Sequence, residues 1–210
     1  MPLESKPYWG PHRLPDPMNL GLGYAGLLIV RHSERDPVIT LADAYHARLT
    51  AAGRAMARAF GEKLGREIQI GAAVASPVER CVETAQEILK GALNGNRSAV
   101  VVQPLPVLHF EQKLTGIAGL ENIFLNDPGF LHLASRPESS EYILLHQTLL
   151  ATLPFPETPG VINLGVTHDV LITFLRTSLL GLPSATLDDF PGYLEGIFLV
   201  KHDDHVSLLL

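Results

Sequence analysis

A single cysteine, Cys81, in a chain of 210 residues excludes an intramolecular disulfide, and with it the small secreted scaffolds that depend on such bonds. No apolar run reaches the length of about 20 residues that a bilayer-spanning helix needs. Basic residues are few: 16 Lys and Arg against 22 Asp and Glu leave a net charge of −6. With no clustered basic stretch, the electrostatic footprint of a nucleic-acid binder is missing. The amino terminus, Met1 to Pro7, lacks the basic start and apolar core of a signal peptide, so a cytoplasmic location is expected. His12, His46, His109, His132, His146, His202 and His205 are scattered without metal-ligand spacing. The last two bracket Asp203 and Asp204 in what reads as a turn between Phe198-Leu199-Val200 and Val206-Ser207-Leu208-Leu209, so no metal and no cofactor are expected.

What is there suffices for one sizeable core: 46% of the residues are hydrophobic and 18% charged. A single domain over residues 1–210 is expected, with no internal repeat. Residues 1–25, rich in Pro and Gly, are expected to wrap over the surface before the first strand. Leu27-Leu28-Ile29-Val30 reads as a buried strand, and Arg31-His32-Ser33-Glu34-Arg35 follows at its exit. Arginine presents planar, permanently charged donors that match phosphate oxygens, and a neutral imidazole between two of them can attack phosphorus.

Two further segments repeat this strand-to-helix arrangement. Ala72-Ala73-Val74-Ala75 leads into Ser76-Pro77-Val78-Glu79-Arg80, where Ser76 and Glu79 have the spacing of a capping box and Pro77 suits the first helical position. Apolar residues then recur at Val78, Cys81, Val82, Ala85, Ile88 and Leu89, which is helical spacing. Arg80 therefore falls in a first helical turn, where free amides and the dipole already favour an anion. Val161 to Thr167 leads likewise into His168-Asp169 and the helical run Val170, Leu171, Phe174, Leu175, Leu179. In open α/β sheets ligands bind beyond the carboxyl ends of the strands, so Arg31, His32, Arg35, Arg80 and His168 are expected to converge.

The remaining elements follow from pattern. A helix after Thr50 carries Met56, Phe60 and Leu64 on one face, Ala99 to Val102 reads as a third strand, and helix returns from about Glu138 to Leu150. Alternating strands and helices imply an α/β fold, a three-layer α/β/α sandwich on a mainly parallel central sheet, with the closing hairpin adding strands at one side. Residues 103–135 break the periodicity and carry Phe110, Leu114, Ile117, Leu120, Ile123, Phe124, Phe130 and Leu131. They are expected to form a cap that chooses the substrate, either packed on the sheet or closing over an apolar portion of a small-molecule phosphate ester.

On these residues the chain resembles the histidine phosphatase superfamily, also called the phosphoglycerate mutase-like or acid phosphatase fold. The carriers are R-H-x-x-R at Arg31 to Arg35, L-T-x-x-G at Leu49 to Gly53, S-P-x-x-R-x-x-x-T-A at Ser76 to Ala85, and the late His168. The resemblance implies that His32 is the phosphorylated nucleophile and that Arg31, Arg35, Arg80 and His168 cradle the phosphoryl group. Ser33 stands where the family usually has glycine; it is expected to shift the loop or to add a hydroxyl to the phosphate pocket. Two carboxylates compete for the role of proton donor to the leaving group. His168-Asp169 is similar to the pair of the acid-phosphatase branch, and Glu111 sits near the glutamate of the mutase-like branch. A closed pocket raises a carboxyl pKa and nearby arginines lower it, so the residues alone leave the choice open, although the position of Asp169 at a strand exit favours it. Phosphomonoester hydrolysis is the leading expectation. A phosphomutase would need further basic residues beyond Lys113, and an inactive phosphate-binding protein would not need all five pocket residues.

Overall fold

The computed structural model describes residues 25–37, 46–66, 68–93, 100–109, 140–182, 190–202 and 205–208. In chain order they form β1 (Gly26–Arg31), α1 (Ala51–Leu64), β2 (Gln69–Ala75), α2 (Glu79–Ala92), β3 (Val102–Pro104), a 3-10 turn (Pro106–Leu108), α3 (Ser140–Thr152), β4 (Val161–Thr167), α4 (Asp169–Leu179), β5 (Gly196–His202) and β6 (His205–Leu208). The strands join in one sheet of order β3-β2-β4-β1-β5-β6. β3, β2, β4 and β1 run parallel, and β5 and β6 return antiparallel beyond β1. This is the mainly parallel sheet with a terminal hairpin that the alternation of patterns predicts. Among the described residues, no helix is long and apolar enough to cross a membrane.

β1 is a continuous apolar run because both of its faces are covered, as parallel strands require. Leu28 and Val30 face Phe60 and Leu64 of α1 and Cys81, Ala85 and Ile88 of α2. Leu27 and Ile29 face Leu171, Ile172, Phe174 and Leu175 of α4 and Leu149 of α3. Each fully buried Leu, Ile or Phe contributes about 1.5–3 kcal/mol, so the two layers hold the strand exits from both sides. α1 and α2 approach closely because Gly61 lies against Ile88, where a Cβ would meet the Ile88 carbonyl oxygen at 1.9 Å.

Three local expectations are corrected. Helix α2 starts at Glu79 rather than at Pro77, and its cap residue is Val78 with no side-chain capping bond of its own; the Ser76 hydroxyl accepts from Val78 N–H at 3.4 Å. The third strand is shifted: Ala99 lies outside the described residues, Val100 and Val101 are irregular, and pairing with β2 begins at Val102. Consequently Gln103 and Pro104 belong to the sheet and not to a cap, while Phe110, Leu114, Ile117, Leu120, Ile123, Phe124, Phe130 and Leu131 lie outside the described residues, as do residues 1–24, Glu111, Lys113, Asp203 and Asp204.

Candidate active site

Sheet register alone brings the sequence motifs together. Arg31 pairs with Thr167, and Ala75 pairs with Val166, so the next residues along β1, β2 and β4, which are His32, Ser76 and His168, leave neighbouring strands at the same level. The backbone continues the ladder one step further: His32 N–H donates to the Thr167 carbonyl at 2.9 Å and Ser76 N–H to the Val166 carbonyl at 2.9 Å. The strand end beyond β2 is fastened in the same way, Leu105 N–H reaching the Ala75 carbonyl at 2.7 Å.

His32 is buried. Its Nδ1 lies 2.8 Å from the Ser33 carbonyl, which can only accept, so Nδ1 carries the proton and Nε2 keeps the lone pair. Burial and then the positive charges of Arg80, Arg31 and Arg35 hold its pKa well below the ordinary histidine value, against the Ser33 bond that favours the charged form. The result is a neutral imidazole with a free lone pair beside guanidiniums. The His168 ring stands edge-on to it, 5.5 Å between centroids. His168 is likewise held well below the ordinary value, by burial first and then by His32, Arg80, His109 and Arg31.

Each arginine has a different setting. Arg80 is buried and its Nη2 donates to His168 Nδ1 at 3.2 Å. Arg31 forms an ion pair with Asp169 at 2.8 Å, the two side chains 20% and 26% exposed. It also donates to the Pro191 carbonyl at 2.8 Å and lies 4.9 Å over the Tyr193 ring. Arg35 stands at the rim: its Nη1 donates to the Asp36 carbonyl at 2.9 Å, and its charge reaches His32 more weakly than those of the other two. Of the five residues expected to converge, Arg31, His32, Arg80 and His168 stand in close array and Arg35 at the edge.

Ser33 is completely buried, and its hydroxyl donates to the Gly53 carbonyl at 2.8 Å while its N–H donates to Thr84 Oγ1 at 3.0 Å. The serine thus anchors the His32 loop to α1 and α2, and its hydroxyl is engaged by backbone. Gly53 is needed there, because a Cβ would sit 2.1 Å from the Glu34 carbonyl oxygen. Thr50 caps α1 by accepting from Gly53 N–H at 2.9 Å and donates to Glu34 at 2.6 Å, which gives the L-T-x-x-G run its physical role. Cys81 is fully buried in the core face of α2 and its thiol is pushed up to about 12, chiefly by burial.

Two site residues carry no sequence signal. His109, just after the 3-10 turn, is buried with its ring 5.9 Å from that of His168. Tyr193, in the turn before β5, stands 5.9 Å from the His32 ring. That turn is closed by Leu194 N–H on the Arg31 carbonyl and Arg31 N–H on the Glu195 carbonyl. It also forces Leu194 into the left-handed region at φ 61°, a strain of about 1–2 kcal/mol for a residue with a Cβ. Among the described residues no group of His, Cys, Asp and Glu has the arrangement of a metal site.

The neutral state of His32 and His168 sets a pH dependence of folding. Both pKa values are lower folded than unfolded, so the unfolded chain binds protons first on acidification. Their contribution is complete above the ordinary value of about 6.5 and is lost as pH falls below it, at up to about 1.4 kcal/mol per pH unit for each group. Urea unfolding at about pH 7.5 and about pH 5.5 is expected to show the lower midpoint at the acid value; equal midpoints would contradict the assignment.

Comparison with solved structures gives the class of fold. A mycobacterial glucosyl-3-phosphoglycerate phosphatase in complex with inorganic phosphate is similar over 89% of this chain and 96% of its own, with 22% identity and a TM-score of 0.55. An Entamoeba histolytica phosphoserine phosphatase in complex with 3-phosphoglyceric acid covers 87% and 94%, with 17% identity and a TM-score of 0.52. A phosphoglycerate mutase from Bacillus anthracis str. Sterne covers 90% and 93%, with 15% identity and a TM-score of 0.51. The chain has the phosphoglycerate mutase-like fold. Within that class, residues 27–99 match the model of the histidine phosphatase superfamily (branch 1), the stretch from β1 past the end of α2 that contains Arg31, His32, Arg35 and Arg80. No curated protein matches the chain.

Proposed function

We propose that this chain is a phosphomonoester hydrolase that works through a phosphohistidine at His32. The observation that carries the reading is the His32 ring itself, held neutral with Nδ1 on the Ser33 carbonyl so that Nε2 is the nucleophilic atom. Nε2 attacks phosphorus and forms the P–N bond, the bond from phosphorus to the ester oxygen breaks, and the leaving alkoxide takes a proton from a carboxylic acid. Water then attacks the phosphohistidine, the P–N bond breaks, and inorganic phosphate leaves. Arg31, Arg80 and His168 surround the transferring group, with Arg35 adding charge from the rim. The guanidiniums are preorganised donors that stabilise the charge that builds on the equatorial oxygens.

Asp169 is the proton donor in this reading. At rest its Oδ2 is paired with Arg31 and its Oδ1 accepts from Val170 N–H at 2.8 Å. In the first step Arg31 turns to the phosphoryl group and the Asp169 carboxylic acid gives its proton to the leaving oxygen; in the second the Asp169 carboxylate takes the proton of the attacking water, which restores the acid. Glu111 is the second reading, favoured by the branch-1 match. The substrate is a small-molecule phosphate ester, and the enzyme acts in the cytoplasm.

Turnover is expected without a metal, since the guanidiniums of Arg31, Arg35 and Arg80 supply the charge that a cation supplies in other phosphoryl-transfer enzymes. The test is release of inorganic phosphate from a panel of metabolite phosphates by the purified protein, before and after exhaustive treatment with EDTA. Release that survives chelation supports the reading. Activity lost with EDTA and restored by magnesium or zinc contradicts its electrostatics, and transfer to a second substrate without phosphate release identifies a mutase.

A further inference from the structure

Behind His168 lies a buried polar chain that the reaction above does not use. Ser76 Oγ is 3.1 Å from His168 Nε2 and 3.4 Å from His109 Nδ1. Ser76 is completely buried and His109 is 3% exposed. The loop that carries His109 is fixed against the exit of β4, because the Thr167 hydroxyl donates to the Leu108 carbonyl at 2.7 Å. Hence the two histidines and the serine between them are held by three adjoining strand exits.

Hydrogen-bond valence orders this chain. Arg80 can only donate, so His168 Nδ1, 3.2 Å from Arg80 Nη2, is an acceptor and the His168 proton sits on Nε2. That N–H points at Ser76 Oγ, which also receives Val78 N–H at 3.4 Å. The one hydrogen of the Ser76 hydroxyl is then left for His109 Nδ1 or for the Cys81 sulfur, which the same hydroxyl reaches. Reversing the last link loosens this order: if His109 carries a proton on Nδ1, the Ser76 hydrogen is left to the Cys81 sulfur or to His168 Nε2, and in the second case His168 moves its own proton to Nδ1, against Arg80.

We propose that Ser76 and His109 are positioning residues that select the tautomer of His168, keeping its Nδ1 an acceptor that holds the Arg80 guanidinium in place for the phosphoryl group. The groups that face His168 are Arg31 and His32 from β1, Arg80 and Cys81 from α2, His109 after the 3-10 turn and Asp169 on its own helix. Of these, His109 is the titratable one that reaches His168 through a hydroxyl. A proton on His109 Nδ1 therefore acts on the tautomer of His168 through the Ser76 hydroxyl.

The test is nitrogen NMR of the full-length protein labelled in its histidines, with the His168 signals assigned by their loss in His168→Gln. In the parent near neutral pH, His168 is expected to have a bare Nδ1 and a protonated Nε2. His109→Phe, which removes the acceptor, is expected to mix the two tautomers. His109→Asn, whose amide oxygen replaces Nδ1 as acceptor, is expected to restore the single form and keep it to lower pH than the parent does. A His168 spectrum that is the same in all three overturns the proposal, and if His109→Phe does not fold, Ser76→Ala serves in its place.

A kinetic arm rests on the phosphatase reading above. His109→Phe is expected to lower kcat about 10- to 100-fold with KM little changed, and His109→Asn to recover it with an acid limb displaced to lower pH. Ser76→Ala combined with His109→Phe should be no worse than the worse single variant; losses that multiply overturn the linkage. A parent without turnover refutes the phosphatase reading while the spectra still decide the tautomer.

Discussion

Replacing His32 with Ala is expected to lower phosphomonoester turnover by on the order of 10⁴-fold or more, the scale seen when a covalent nucleophile is removed. The size of the effect follows from what no neighbour can substitute. His168 uses Nδ1 as an acceptor from Arg80 and Nε2 on Ser76, and the Cys81 thiol, pushed up to about 12, stays protonated. The fold is expected to survive, since the two core layers are built from β1 residues 27–30 and the helices that cover them. Loss of the Nδ1 bond to Ser33 costs about 1 kcal/mol. The checks are circular dichroism, a denaturation midpoint, and acid-labile covalent incorporation of phosphate in the parent but not the variant. Comparable turnover by His32→Ala and the parent would remove the nucleophile assignment.

The second large effect distinguishes the two carboxylates. An alkyl phosphate has a poor leaving group and needs protonation, whereas p-nitrophenolate leaves without it, so loss of the acid harms the first ester selectively. Asp169→Asn is expected to lower turnover of the alkyl ester by about 10²- to 10⁴-fold and to leave the aryl ester much less affected. Because Asp169 also holds Arg31, a rise in KM for both esters is expected alongside. Glu111→Gln provides the opposite arm: if that variant alone shows the selective loss, the proton comes from Glu111 and Asp169 serves only to orient Arg31.

Much of the fold was legible because its signals are local. The double-sided burial of β1 is visible as an unbroken apolar run, α1 and α2 as apolar residues at helical spacing, and the closing hairpin as two apolar runs about a polar turn. The convergence of Arg31, His32, Arg80 and His168 was legible too, since parallel strands place their exits side by side. What failed were choices that a distant partner decides. Ser76 and Glu79 have the spacing of a capping box, yet the hydroxyl lies within reach of His168 and His109, residues 92 and 33 positions away. The third strand was placed on Ala99 to Val102 by its β-branched run, while pairing with β2 selects Val102 to Pro104. His109 and Tyr193 sit in connections with no periodicity, and only the register of β4 against β1 and β2 shows that those connections meet at the pocket.

The burial of Cys81 against His168, with Sγ 3.7 Å from Nε2, separates this site from those of enzymes that work through sulfur. The one thiol of the chain touches a ring of the candidate site, yet it is protonated and enclosed. Electrophiles that disable thiolate enzymes, such as iodoacetamide, maleimides and peroxide, have no ionised sulfur to meet, since alkylation and oxidation both proceed through the thiolate. If the proposed phosphatase reading holds, vanadate and other phosphate mimics, which address guanidiniums and imidazoles directly, are expected to inhibit where thiol reagents do not.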